Sequence, residues 1–184
     1  QFCTQDLSSF YFDIRKDVLY CEDKNSMKRR ATLTILDLLF YRLTTWFAPI
    51  LPFTMEEVFL ERFPNEDQSV HLLDIPKSED HWKNKEIEGK WDLIRKVRKV
   101  VTGAIEVFRK DKVIGSSLEA YPTILIKDKS LYSAIKVVDM AEICITSGFE
   151  IKYVDGELPI DCFALDETPE VGVICKIATG QKCE

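Results

Sequence analysis

The sequence predicts a mainly α chain: an antiparallel helical bundle over residues 1–114, followed by a small α+β domain over residues 115–184. Three observations carry this expectation. Apolar residues recur at helical spacing through most of the first part of the chain. A proline corner, Phe47-Ala48-Pro49-Ile50-Leu51-Pro52, breaks that periodicity where two helices would be joined. After Gly115 the texture changes to apolar–polar alternation, the period of a half-buried strand.

In chain order, Leu7, Phe10, Tyr11, Ile14 and Val18 form one apolar stripe, predicting a helix over Asp6–Cys21. Asn25 or Ser26 is suited to cap a second helix that runs to Ala48. Its residues Leu33, Ile35, Leu36, Leu38, Leu39, Phe40, Leu43, Trp46 and Phe47 point in nearly all directions, so burial on most sides is expected. Thr54 and Glu57 have capping-box spacing, with Phe53 and Val58 as the hydrophobic staple of a third helix ending near Phe63. Pro64 to Asp80 reads as a polar loop, and a long helix follows from Asp80 or Lys85 to Lys110. In the last third, Tyr121–Ile126, Phe149–Val154 and Val171–Ile177 read as strands and Ser130–Met140 as a short helix.

The chain has 184 residues, enough for a substantial core. It has no apolar run of about 18 residues or more and no signal-peptide pattern, so a cytoplasmic protein without membrane association is expected. It opens on Gln1 and stops after Lys182-Cys183-Glu184, the expected look of a piece of a longer protein. If the first helices of the bundle are missing, an apolar surface they cover is left exposed. The six cysteines show no Cys-x-x-Cys pair and are read as free thiols.

The formal net charge is −6, but it is unevenly spread. Between Lys83 and Lys112 the basic residues outnumber the acidic ones, and a locally basic face on an acidic protein can still bind RNA. On the long helix, Ile94, Val97, Val100, Val101, Ala104, Ile105, Val107 and Phe108 fall on one side, while Arg95, Lys96, Arg98, Lys99, Arg109 and Lys110 fall on the other. Cations in such a row can track a phosphate backbone. The same row also fits a solvated face held by local ion pairs, Asp92–Lys96 and Glu106–Lys110.

Two smaller basic groups, Arg15-Lys16 and Lys28-Arg29-Arg30, join the candidate RNA contacts. The second opposes the helix dipole at its own N-terminus. Phe10, Tyr11 and Phe12 cover three directions of one helix, so burial against neighbours competes with stacking on an unpaired base. No catalytic constellation emerges: His71 and His81 lack partners at ligand spacing, no glycine-rich phosphate loop occurs, and adjacent Glu56 and Glu57 diverge by about 100° on a helix.

Four ordered blocks carry a family resemblance: Asp6–Cys21, Phe47–Val58, Ile114-Gly115-Ser116-Ser117-Leu118-Glu119-Ala120, and Gly180-Gln181-Lys182-Cys183. Together they resemble the C-terminal anticodon-binding region of bacterial-type isoleucyl-tRNA synthetases, of class I. The proline-corner block is shared more loosely with the valyl and leucyl enzymes. The resemblance implies a non-catalytic fragment that binds the anticodon arm of tRNA(Ile), with neither DNA nor membrane as a partner. The parent is implied to be a monomeric ligase that joins isoleucine to tRNA using ATP, magnesium and zinc. No cofactor is expected within the fragment. Its nucleotide-binding motifs are absent here, and Cys183 would be a zinc ligand stranded from its companions. A helical protein-interaction module is the rival expectation, as is the equivalent domain of a valyl- or leucyl-type enzyme.

Overall fold

The structure, a computed structural model, describes residues 1–64 and 68–180. The chain forms two units, Gln1–Lys83 and Asn84–Glu184.

The first unit opens with a wide helix over Phe2–Phe12, wound in π-type turns, which passes through Asp13–Arg15 into α1 (Lys16–Tyr20). The single helix expected over Asp6–Cys21 is therefore two pieces. The Ser9 hydroxyl bonds the Thr4 carbonyl five residues back at 2.9 Å, and the Arg15 amide bonds the Phe12 carbonyl at 3.3 Å, marking the change of winding. Leu7, Ile14 and Val18 are buried as the stripe predicts, Phe10 and Tyr11 are half-buried, and Phe12 is exposed.

Helix α2 (Met27–Phe47) starts where expected, with the Ser26 hydroxyl accepting from the Arg29 amide. Its packing differs from expectation. The buried positions are Thr32, Thr44 and Thr45, whereas Leu33, Ile35 and Trp46 are exposed. Each buried threonine sends its hydroxyl to a carbonyl four residues back, at 2.8–2.9 Å. The slim threonine edge thus turns inward with its polar atoms satisfied, while Leu36, Leu38, Leu39, Phe40, Leu43 and Phe47 are half-buried.

Helix α3 (Pro52–Arg62) begins three residues earlier than the Thr54 cap predicts. Pro52 occupies the first helical position, where its fixed φ fits and its missing N–H leaves nothing unpaired. Thr54 then lies inside the first turn, no side chain among the described residues caps the helix, and Phe53 is 89% exposed instead of stapling Val58. Glu56 instead pins the following loop, its carboxylate accepting from the Ser69 hydroxyl and the Val70 amide, both at 2.9 Å. Val70 thereby joins Ala48 and Phe59 in a small core framed by Phe40, Met55, Phe63 and Leu73. The Arg42 guanidinium sits 4.6 Å from the centre of the Trp82 ring, over the far end of that loop.

The second unit is built around α4 (Lys85–Lys110), capped by Asn84, whose side chain accepts from the Glu86 and Ile87 amides at 3.1 Å. Strands β1 (Ala120–Ile126), β2 (Glu150–Tyr153), β3 (Phe163–Leu165) and β4 (Thr168–Ile177) make one sheet in the order β2-β1-β4-β3. β2 runs parallel to β1 after a crossover through α5 (Lys129–Ile135) and α6 (Met140–Cys144), and the other two pairings are antiparallel. The expected single helix over Ser130–Met140 is these two short ones, each with its own aspartate cap, Asp128 and Asp139. Helix α4 packs on β4, β3 and β1, with α5 and α6 beside it.

That packing moves the division of the chain. The expected boundary at 114/115 groups the long helix with the preceding helices, whereas its contacts group it with the sheet, and the units divide at 83/84. The apolar stripe explains the outcome: Ile94, Val97, Val100, Val101, Ala104 and Ile105 are all buried within the second unit.

Two glycines of α4 give opposite expectations. Gly89 has open space around its missing Cβ, so Gly89→Ala should stabilise by about 0.5–1 kcal/mol in urea unfolding. A Cβ on Gly103 would lie 2.9 Å from Phe163 Cε1, so Gly103→Val should destabilise by about 1–3 kcal/mol.

Candidate nucleic-acid interface

The candidate cations of the first unit lie at its helix starts. Arg15 is at the joint before α1, with its guanidinium 5.8 Å from the centre of the Tyr11 ring. Burial raises the Tyr11 phenol pKa, and Arg15 partly offsets this. Lys16 bonds the Asp13 carboxylate at 2.7 Å, and that bond raises the pKa of its ammonium. Arg29 donates to the Glu22 carbonyl at 2.8 Å, closing the turn into α2. Lys28 and Arg30 are exposed on the first turn of that helix.

On α4 the predicted basic row separates into parts. Arg98 is half-buried, and its Nε donates to the Ile143 carbonyl at 2.9 Å, so the guanidinium closes the C-terminal end of α6. Lys99 pairs with Glu167 at 2.5 Å, tying the helix to the turn between β3 and β4. These two residues therefore serve the fold of the unit. Arg95 and Lys96 are exposed. The expected Asp92–Lys96 pair is not formed among the described residues, and Glu106 pairs with Arg109 at 3.3 Å instead of Lys110.

At the end of α4, Arg109, Lys110 and Lys112 line a solvent-open pocket of 440 Å³ together with Glu106, Val113, Ile114 and Gly115. Lys112 was only one charge in the basic tally of the sequence. Its significance lies in a backbone angle, φ 56°, which no periodicity discloses.

Among the described residues no group of three or more His, Cys, Asp or Glu side chains converges to hold a metal, and Cys183 lies outside them, as does most of its motif. The described cysteines are free thiols. Burial pushes Cys144 up to about 12, with Arg98 opposing, and Cys175 up to about 11. No helix among the described residues is long and apolar enough to cross a membrane.

Two expectations follow. Arg98→Ala strips the Ile143 carbonyl of its charged donor and should lower stability by about 1–3 kcal/mol, whereas exposed Lys96→Ala should stay within about 0.5 kcal/mol, both read by urea unfolding. The unfolded thiols ionise near 9 while folded Cys144 and Cys175 keep their protons, so the unfolded state gains with rising pH. Stability should fall from about pH 9 upward by about 1.4 kcal/mol per pH unit per thiol, and a Cys144→Ala, Cys175→Ala variant should lose that slope.

Residues 1–124 match the family described as the anticodon-binding domain of tRNA ligase. The chain is 51% identical over 183 residues to an isoleucine–tRNA ligase of Ruegeria pomeroyi, covering 100% of this chain and 19% of that protein. Against the isoleucine–tRNA ligase of Agrobacterium fabrum it is 52% identical over 182 residues, 99% of this chain and 18% of the relative. The Bartonella henselae ligase is 50% identical over a similar span. The chain thus spans about a fifth of the length of the curated relatives it matches. With two thirds of its length matched by the family and a helical first unit in place, the chain belongs to the anticodon-binding domain family of tRNA ligases.

Proposed function

We propose that this chain is the part of an isoleucine–tRNA ligase that grips the anticodon arm of tRNA(Ile), and that it carries out no catalysis of its own. The observation that carries the reading is family membership combined with about half identity, over essentially the whole chain, to isoleucine–tRNA ligases. Exposed cations at Lys28, Arg30, Arg95, Lys96, Lys110 and Lys112 supply the chemistry. Lysine and arginine side chains fix an RNA backbone by neutralising phosphates, and the edges of splayed anticodon bases supply specificity. Arg98 and Lys99 act one step back, Arg98 by joining α4 to the end of α6 and Lys99 by pairing with Glu167 in the turn between β3 and β4.

In the full-length ligase, this binding at a distance from the reaction helps to place the acceptor end of the tRNA where isoleucine is transferred. That ligase is monomeric and cytoplasmic in this reading. ATP, magnesium and zinc belong to its other parts.

The test is a titration of the chain with tRNA(Ile), tRNA(Val) and an anticodon-swapped tRNA(Ile) at 50 and 200 mM salt. Preference for the isoleucine anticodon is expected, with affinity falling about tenfold or more between the two salts. Salt-insensitive binding, or none, would sink the reading and favour a protein-interaction module using the exposed apolar side of α2.

A further inference from the structure

We propose that Lys112, together with Lys110, forms a seat for one backbone phosphate of the bound RNA at the C-terminal end of α4. The inference rests on the tRNA-binding reading above and adds a residue and a place to it.

The end of α4 is closed by two backbone bonds. The Lys112 amide donates to the Arg109 carbonyl and the Val113 amide to the Phe108 carbonyl, both at 3.0 Å. This is the Schellman arrangement, and it forces the residue after the cap, Lys112, into the left-handed region at φ 56°. Glycine is the residue that takes this conformation without strain, because any Cβ crowds the backbone there. A lysine at this position works against the local backbone, and Gly115 comes three residues too late to serve.

Among the described residues no contact of the Lys112 side chain accounts for it. Lys112 is exposed, and neither it nor Lys110 has an acidic partner among the described residues. The one carboxylate in the lining, Glu106, is engaged by Arg109 at 3.3 Å, and the Gly115 amide is engaged by Glu119 at 2.9 Å. Lys110 and Lys112 thus line, beside Arg109, an open 440 Å³ pocket, roomy enough for a phosphate and its neighbouring sugar. Lys110, in the last turn, is also favoured by the helix dipole. Lys112 lies beyond that turn in a strained conformation, and a strained residue at a solvent-open site is what a binding role predicts.

The experiment compares Lys112→Gly and Lys112→Arg with the unsubstituted chain, in urea unfolding and in titrations with a tRNA(Ile) transcript at 50, 100 and 200 mM salt. Lys112→Gly should raise the urea midpoint, because the strain is relieved, yet bind about fivefold more weakly near 0.15 M salt. Its slope of log K against log salt should shrink by about 0.7–0.9, one phosphate contact. Lys112→Arg keeps the charge and should bind within about twofold of the unsubstituted chain. If Lys112→Gly binds as the unsubstituted chain does while Lys96→Ala weakens binding, the phosphate seat is overturned and the tRNA reading stands. If the unsubstituted chain itself does not bind the transcript, both fall.

Discussion

Burial of one face of α4 against the sheet decides most of what the second unit can present. Ile94, Val97, Val100, Val101, Ala104 and Ile105 leave solvent together. Each large one of these contributes about 1.5–3 kcal/mol relative to exposure, so the helix cannot rotate about its axis without losing several such terms at once. With the rotation fixed, every charged residue on α4 has a fixed direction. Those at the edge of the apolar stripe meet the unit's own polar groups, as Arg98 meets the Ile143 carbonyl and Lys99 meets Glu167. Those further round, or past the end of the sheet contact, face water. The separation of structural from available cations is therefore a consequence of packing geometry rather than of residue type.

The first unit is organised by a different constraint. The buried positions of α2 are the small side chains Thr32, Thr44 and Thr45, while Leu7, Ile14 and Val18 are buried before it and Ala48, Phe59 and Val70 form the corner after it. The threonine hydroxyls fold back on their own helix, so the seam carries no unsatisfied polar atom of theirs. The result is a thin core, with Leu33, Ile35, Trp46, Ile50, Leu51 and Phe53 left facing outward. Glu56 and Arg42 compensate locally by tying the loop after α3 to the helices, one through hydrogen bonds and one over the Trp82 ring.

Periodicity made the elements legible wherever one face was buried. The stripe of α4 stands in the sequence as it does in the structure, because burial of one face imposes the 3.6 period, whereas β1 is buried almost throughout and β4, read as alternating, is buried at consecutive positions in its middle. Helix α2 misled for the same reason: an apolar count cannot tell which side of a helix its neighbours reach, and here they reach the threonines. β3 escaped because three residues, Phe163-Ala164-Leu165, are too few to show a period. The Thr54 box lost to Pro52, since a proline preset for the first turn starts a helix without needing a cap. Among the candidate contacts, the chemistry of each cation could be read and its engagement could not. Nothing in the sequence says that Arg98 rather than another cation of the row meets the Ile143 carbonyl; the approach of α6 decides it.

The two left-handed residues show how far backbone strain can be used to assign a role. Ile145 ends α6 in the same way that Lys112 ends α4, with φ 56° and the Thr146 amide reaching back to the Ala141 carbonyl at 3.0 Å. A β-branched residue is the worse fit to that conformation. Its neighbourhood explains its retention: Cys144 and Thr146 on either side are buried, the Thr146 hydroxyl bonds the Gly148 carbonyl at 3.1 Å, and Arg98 holds the carbonyl of Ile143. Packing over-determines that turn, so the strain at Ile145 is held by contacts within the unit. Lys112 has the same backbone and none of these surroundings. Its side chain is exposed and lines a pocket, with a second lysine that likewise has no acidic partner among the described residues. Strain that packing does not hold in place is better explained by what the side chain reaches for, and under the proposed tRNA-binding function an ammonium group reaches for phosphate.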